Sequence, residues 1–122
     1  MNLNWPREGG NEHFSRLVSG AHSVCLLAEM DGETVGYLVG YAMDATNLRP
    51  VKRAELESMF VREEFRGQGV GAALANEFMN WSKKEGAQRI SVTAYAANEK
   101  AIEFYKGLGF EPRNLSLELG IE

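Results

Sequence analysis

Strand-like runs fill the chain from Val24 to Val61, and a helical period takes over from Val70 to Lys84. Val24 to Met30 is an apolar, β-like run. Asp31-Gly32 follows it and reads as a hairpin turn, since Gly accepts positive φ and Asp tolerates it. Thr34 to Met43 is the returning strand. Val35, Tyr37, Val39 and Tyr41 alternate on one of its faces, and Gly36 and Gly40 stand on the other. Such small residues imply a close neighbour, a twist or a bend. Asp44 to Lys52 is a loop. Arg53 to Val61 is a third strand that splits into Glu55, Glu57, Met59, Val61 and Ala54, Leu56, Ser58, Phe60. Two carboxylates on a face that continues into Met59 and Val61 call for a bulge that switches faces partway along.

Past Arg62 to Phe65, a charged connection, the period changes. Val70, Ala73, Leu74, Phe78 and Trp81 form one stripe of a helix from Val70 to Lys84. Lys83 and Lys84 suit its C-terminal end and Gly86 its C′ position. Gln88 to Tyr95 is a fourth strand, with Ile90, Val92 and Ala94 alternating. Asn98 is a good N-cap for a short helix, Glu99 to Lys106, with Ile102, Tyr105 and Ala101 facing one way. Gly107 ends it, and Leu115 to Leu119 reads as a last strand. At the other end, Met1 to Gly20 is polar and turn-rich. Within it, Phe14, Leu17 and Val18 make one face of a short amphipathic helix from His13 to Val18. The order predicts one mixed sheet with helices, an α/β (α+β) architecture.

Composition narrows the partners. The 122 residues suffice for one domain with one core. With 44% hydrophobic and 25% charged residues, the chain has an ordinary globular composition. A net charge of −4 disfavours nucleic acid as main partner and mildly favours cationic ligands. No segment reaches the roughly 20 apolar residues of a membrane span, and the N-terminus has no signal-peptide core. The single cysteine, Cys25, reads as a small buried hydrophobe, which fits a reducing, cytoplasmic setting. His13 and His22 have no metal-ligand spacing to Cys, Asp or Glu, so no metal site is expected.

Between the third strand and the first long helix lies Arg66-Gly67-Gln68-Gly69-Val70-Gly71-Ala72. Its three glycines leave backbone N–H groups unshielded, and a helix N-terminus adds partial positive charge there. That combination binds phosphate. Gly67-x-Gly69-x-x-Ala72 satisfies the dinucleotide pattern, but that pattern wants an acidic residue after the next strand and a second half-domain. The strand ends Thr93-Ala94-Tyr95, and no second half is present. A P-loop needs Gly-Lys-Ser/Thr where Gly71-Ala72-Ala73 stands.

Arg66-x-x-Gly69-x-Gly71 matches the signature R/Q-x-x-G-x-G/A of the GNAT superfamily, the acetyl-CoA-dependent N-acetyltransferases. Glu57 to Gly67 looks like the strand and turn that precede that signature. Asn98-x-x-Ala101-x-x-Phe104-Tyr105-x-x-x-Gly109-Phe110 resembles the family's second signature at a fitting distance. The likeness runs from about Val24 to Leu119. It implies a sheet splayed at a cofactor cleft. The CoA pyrophosphate would lie on the N–H groups of Gly67, Gln68, Gly69, Val70, Gly71 and Ala72, with Arg66 nearby. The pantetheine arm would bond to backbone at Met59, Phe60 and Val61, and Asn98 and Ala101 would lie beside it. A bulge near Ser58 to Phe60 would free an N–H for the thioester carbonyl. The resemblance makes Tyr105 the general acid for the departing thiolate. Glu57 or Glu55 is the candidate base for an amine of a small molecule or peptide.

The family's domains begin with a strand and helix before the segment that Met1 to Gly20 resembles, and the expectation from this sequence is a domain without that first unit. A partner chain then walls the acceptor site, or the site is open, or the chain is an incomplete relative. A homodimer follows as an expectation, because a shortened sandwich leaves apolar surface and a sheet edge uncovered. A rival reading keeps the same loop in a non-catalytic acyl-CoA-binding or regulatory module. Tyr105, Glu57 and Glu55 favour the enzyme.

Overall fold

A computed structural model describes residues 2–4, 12–20, 22–48 and 50–121. Its elements run β1 (Asn2–Asn4), β2 (Glu12–Gly20), β3 (Ser23–Met30), β4 (Glu33–Met43), β5 (Arg53–Val61), α1 (Val70–Lys84), β6 (Arg89–Val92) and α2 (Glu99–Gly107). Among the described residues, six strands form one sheet in chain order, β1-β2-β3-β4-β5-β6. The first five pair antiparallel. β6 pairs parallel to β5, because α1 carries the chain back to the same end before β6 begins. The expected mixed, largely antiparallel sheet with helices is therefore observed.

Strand patterning set most of this. Asp31 and Gly32 take φ of 52° and 83°, the paired positive values of a tight two-residue hairpin, between Met30 and its partner Glu33. The core cluster gathers Val24, Leu26 and Ala28 of β3, Leu38 and Ala42 of β4, and Ala54 and Leu56 of β5. Against them lies the stripe Val70, Ala73, Leu74, Phe78 and Trp81 of α1. The glycine face of β4 is the one that α1 covers. A Cβ on Gly36 would meet Phe60 O at 2.9 Å and Leu74 Cδ1 at 3.4 Å. One on Gly40 would collide with the Phe78 ring. The small residues make room for a helix, one of the possibilities left open by the pattern.

Several expectations are corrected. Residues 12–20 are strand, where a short helix over His13 to Val18 was expected, and residues 2–4 are strand within a segment read as turn-rich. The β2–β3 register shifts between Leu17 and Gly20. That shift breaks period-two alternation just where adjacent Leu17 and Val18 imitate a helical face. Val35 does not share a face with Tyr37. It is the extra residue of a bulge between the pairs Ala28–Gly36 and Glu29–Thr34, and it is fully buried in the core. Cys25 is half-buried rather than buried. α2 includes Gly107, and the positive-φ glycine behind it is Gly109, at 106°. β6 stops at Val92, short of Tyr95. Leu115 to Leu119 form no strand. Leu115, Leu117 and Leu119 stand exposed, with no ladder to hold them extended.

Candidate active site

β5 and β6 are in register over four pairs only, from Arg53–Arg89 to Leu56–Val92. Beyond that point β5 continues to Val61 with β4 alone, and the chain after Val92 turns away toward α2. The parting coincides with a bulge. Gly40 pairs with Leu56 and Val39 with Ser58, so Glu57 is the extra residue. It lies one position before the Ser58 to Phe60 stretch where a bulge was expected. The face switch is as anticipated. Ala54 and Leu56 are buried against α1, and past the bulge Met59 and Val61 pack on the same core. Ser58 and Phe60 take the other face with Tyr37. The Tyr37 and Phe60 rings lie 6.0 Å apart, and Ser58 Oγ is 3.4 Å from the Tyr37 hydroxyl. Glu55 pairs with Tyr41 before the bulge, and Glu57 is exposed at it. The two glutamates are thus separated by the bulge.

The glycine stretch closes the far end of β5. After a 3-10 turn at Glu63–Phe65, Gly67 and Gly69 adopt φ of 79° and 87°, values a side chain rarely tolerates. Alternation of such residues with ordinary ones curls successive N–H groups into an anion-accepting concavity. Gly69 is the N-cap of α1, with no side chain to cap it, and the first turn holds no acidic residue. α1's ladder starts with Ala73 N–H donating to Gly69 O at 3.0 Å, so Val70, Gly71 and Ala72 bring donors that lack an intrahelical acceptor. The N-terminus of α2 is different. There Asn98 Oδ1 accepts from Ala101 N at 3.1 Å, the expected cap.

Two contacts join α2 to this end of the molecule. Phe104 packs on Gly71, where an added Cβ would meet its Cζ at 3.2 Å. Gly71 is therefore also a packing glycine, a role that reading the loop as a phosphate cradle missed. Tyr105 rests partly buried on the core, edge-on to Phe104 at 5.3 Å and to Phe110 at 5.7 Å. Burial pushes its phenol pKa up. Its carbonyl accepts from Leu108 N at 3.1 Å and Phe110 N at 3.0 Å, which folds Phe110 back beneath it. Phe104 and Phe110 stand in the second signature quoted from the sequence, but helical spacing, which pairs residues three and four apart, does not point to their contact with Tyr105.

Arginines flank the turn. Arg62 Nη2 bonds Glu64 Oε2 at 2.7 Å. A backbone hydrogen bond and then Arg62 lower the Glu64 carboxyl below its ordinary range. Arg66 Nε donates to Val61 O at 2.8 Å, and Gln68 Nε2 to Glu64 O at 3.2 Å. No cluster of metal-ligating side chains occurs among the described residues, and His22 instead lies 3.7 Å from Glu85. His13 lies on β2. No described helix is long and apolar enough to cross a membrane.

The sheet's parallel pair parts at a bulge, above an uncapped glycine-rich helix start, the arrangement that the sequence's resemblance implied. The profile of the acetyltransferase (GNAT) family matches residues 2–110, and the chain belongs to that family. It is similar to an uncharacterized N-acetyltransferase of Methanocaldococcus jannaschii, 32% identical over 103 residues, covering 84% of this chain and 46% of that relative. An N-alpha-acetyltransferase of Sulfurisphaera tokodaii is 34% identical over 91 residues, 70% of this chain and 54% of the relative. The chain thus spans about half the length of these curated relatives. Among solved structures, the tetramutant of the BH1408 protein from Bacillus halodurans superposes with a TM-score of 0.78 at 22% identity. It covers 84% of this chain and 69% of that one. That likeness is one of fold.

Proposed function

We propose that this chain is one acyl-CoA N-acyltransferase domain, and that it moves an acetyl group from acetyl-CoA to a primary amine of a small molecule or peptide. The observation that carries the reading is the parting of β5 from β6 at the Glu57 bulge, with the uncapped turn of α1 at the end of the same gap. Family membership supports acetyl-CoA as the acyl donor.

The residues fit that donor. Amides from Gly67 to Ala72 take the pyrophosphate, and Gly67 and Gly69 allow the close approach. The outer edge of β5 at Met59, Phe60 and Val61, which β6 does not reach, offers backbone groups to the pantetheine arm. Bound there, acetyl-CoA supplies an activated thioester. Glu57 removes a proton from the protonated amine, directly or through water. The amine's lone pair then attacks the acetyl carbonyl carbon, and a backbone N–H near the bulge steadies the developing oxyanion. The oxyanion's electron pair then re-forms the carbonyl and the carbon–sulfur bond breaks. The nitrogen, positively charged after attack, gives its second proton to solvent water, while Tyr105 gives its phenolic proton to the thiolate and regains one from solvent. A phenol is protonated at neutral pH at its ordinary pKa, and burial pushes that of Tyr105 further up. Glu57 is favoured over Glu55 because it is exposed where the strands part. No nucleophilic side chain is assigned, so transfer is direct in a ternary complex. Asn98 holds the start of α2, and Ala101 lies one turn in, beside the arm.

Release of free thiol from acetyl-CoA, measured against polyamines, aminoglycosides and peptide N-termini, tests the reading. At least one amine class accelerates release. Tight CoA binding with no acceleration by any amine would leave only the binding-module reading.

A further inference from the structure

We propose that Arg66 is a positioning residue, bracing the glycine turn against the end of β5 rather than acting as a charge ligand of the phosphates. The inference rests on reading that turn as the pyrophosphate site.

Gly67 borders open space on the side where a Cβ would stand. A Cβ there would meet no atom within 4 Å, and its φ is one that glycine alone adopts freely. Packing therefore does not fix the direction of the amides that follow. The two flanking side chains do. Arg66 is held at three points. Its N–H donates to Glu63 O at 3.2 Å, its Nε donates to Val61 O at 2.8 Å, and its guanidinium carbon lies 5.5 Å from the Phe60 ring centroid. Gln68, on the other side of Gly67, donates to Glu64 O at 3.2 Å. Both side chains reach back onto the segment just before the turn and clasp Gly67 between them.

The shelf under Arg66 is itself supported. Phe60 lies against Tyr37 at 6.0 Å, and the Tyr37 hydroxyl lies 3.4 Å from Ser58 Oγ. These residues stand on the sheet face opposite the one that α1 covers. Nε is engaged by a carbonyl and the flat of the guanidinium by a ring. A lysine could reach the carbonyl, but it offers neither the planar face nor the fork. The geometry ties the turn to the strand that carries the bulge.

Three variants decide it: Arg66→Lys, Arg66→Gln and Phe60→Leu, with the Arg66→Gln/Phe60→Leu double. The first readout needs no cofactor. Amide order parameters of Gly67 and Gly69 in the free protein fall from the rigid range of about 0.85 toward 0.6 in all three. The second is acetyl-CoA affinity by calorimetry. It weakens about tenfold in Arg66→Gln and severalfold in Phe60→Leu, and the double loses no more than Arg66→Gln alone. Circular dichroism checks folding, and should Phe60→Leu unfold, the order parameters of Arg66→Lys carry the comparison. Unchanged order parameters overturn the brace. So does a silent Phe60→Leu beside a wild-type-like Arg66→Lys, which marks a simple charge contact. A wild-type protein that binds no acetyl-CoA refutes the pyrophosphate reading instead, and the order parameters still judge the brace.

Discussion

Tyr105 is where a single side chain carries most of the proposed chemistry. Half-burial against Phe104, Phe110 and the core disfavours the phenolate, so the proton it would donate, already held at neutral pH by a phenol's ordinary pKa, is held to higher pH. Tyr105→Phe keeps the ring packing and removes the proton. The turnover number falls about 100-fold or more while acetyl-CoA affinity stays nearly intact, as separate turnover and binding measurements would record. Equal loss of both would make Tyr105 a binding residue. The same burial has a thermodynamic signature. The folded pKa is raised, so the contribution is fully present below the unfolded value near pH 10 and is lost as pH rises through the folded one. Urea midpoints of wild type and Tyr105→Phe therefore differ in slope only above about pH 10, with the wild type falling more steeply.

Among the elements, α1 packs onto the sheet at Gly40 with no room for a side chain. Gly40→Ala drives a methyl into the Phe78 ring and the Glu55 carbonyl, so it costs about 2 kcal/mol or more in urea unfolding. Gly32, with nothing within 4 Å, has room for the same methyl, though its φ of 83° strains it. The helix starts separate stability from binding. Asn98→Ala removes the cap on Ala101 and costs about 1 kcal/mol, read as a lowered urea midpoint. Gly69→Asp puts a carboxylate on the uncapped start of α1 at a φ of 87°. Acetyl-CoA binding is abolished while the circular dichroism spectrum of the folded protein is kept, because the clash is with an anion rather than with the core.

Across the described residues, the exposed Leu115, Leu117, Leu119 and Ile121 leave apolar surface in water, and β6 ends the sheet with a polar backbone edge. They support the proposal of a homodimer. Sedimentation at micromolar concentration gives twice the 13.5 kDa of one chain, and a lone monomer there ends the idea. The sequence by itself determined the strands of β3, β4 and β5, the turn at Asp31-Gly32, the bounds of α1 and the Asn98 cap. Each depends on local periodicity or on a residue whose backbone preference is strong. It also marked Arg66 to Ala72, because glycines act through the backbone at their own positions, while Asn98 to Phe110 was marked by its resemblance to the family's second signature. Pairing with a neighbour was not legible. It turned 12–20 into a strand, buried Val35, ended β6 at Val92 and left Leu115 to Leu119 without a ladder. The gap between β5 and β6 belongs to the same class. It exists because one extra residue, Glu57, lets a strand with apolar residues at both even and odd positions face a single core, and only the register against β4 shows which residue that is.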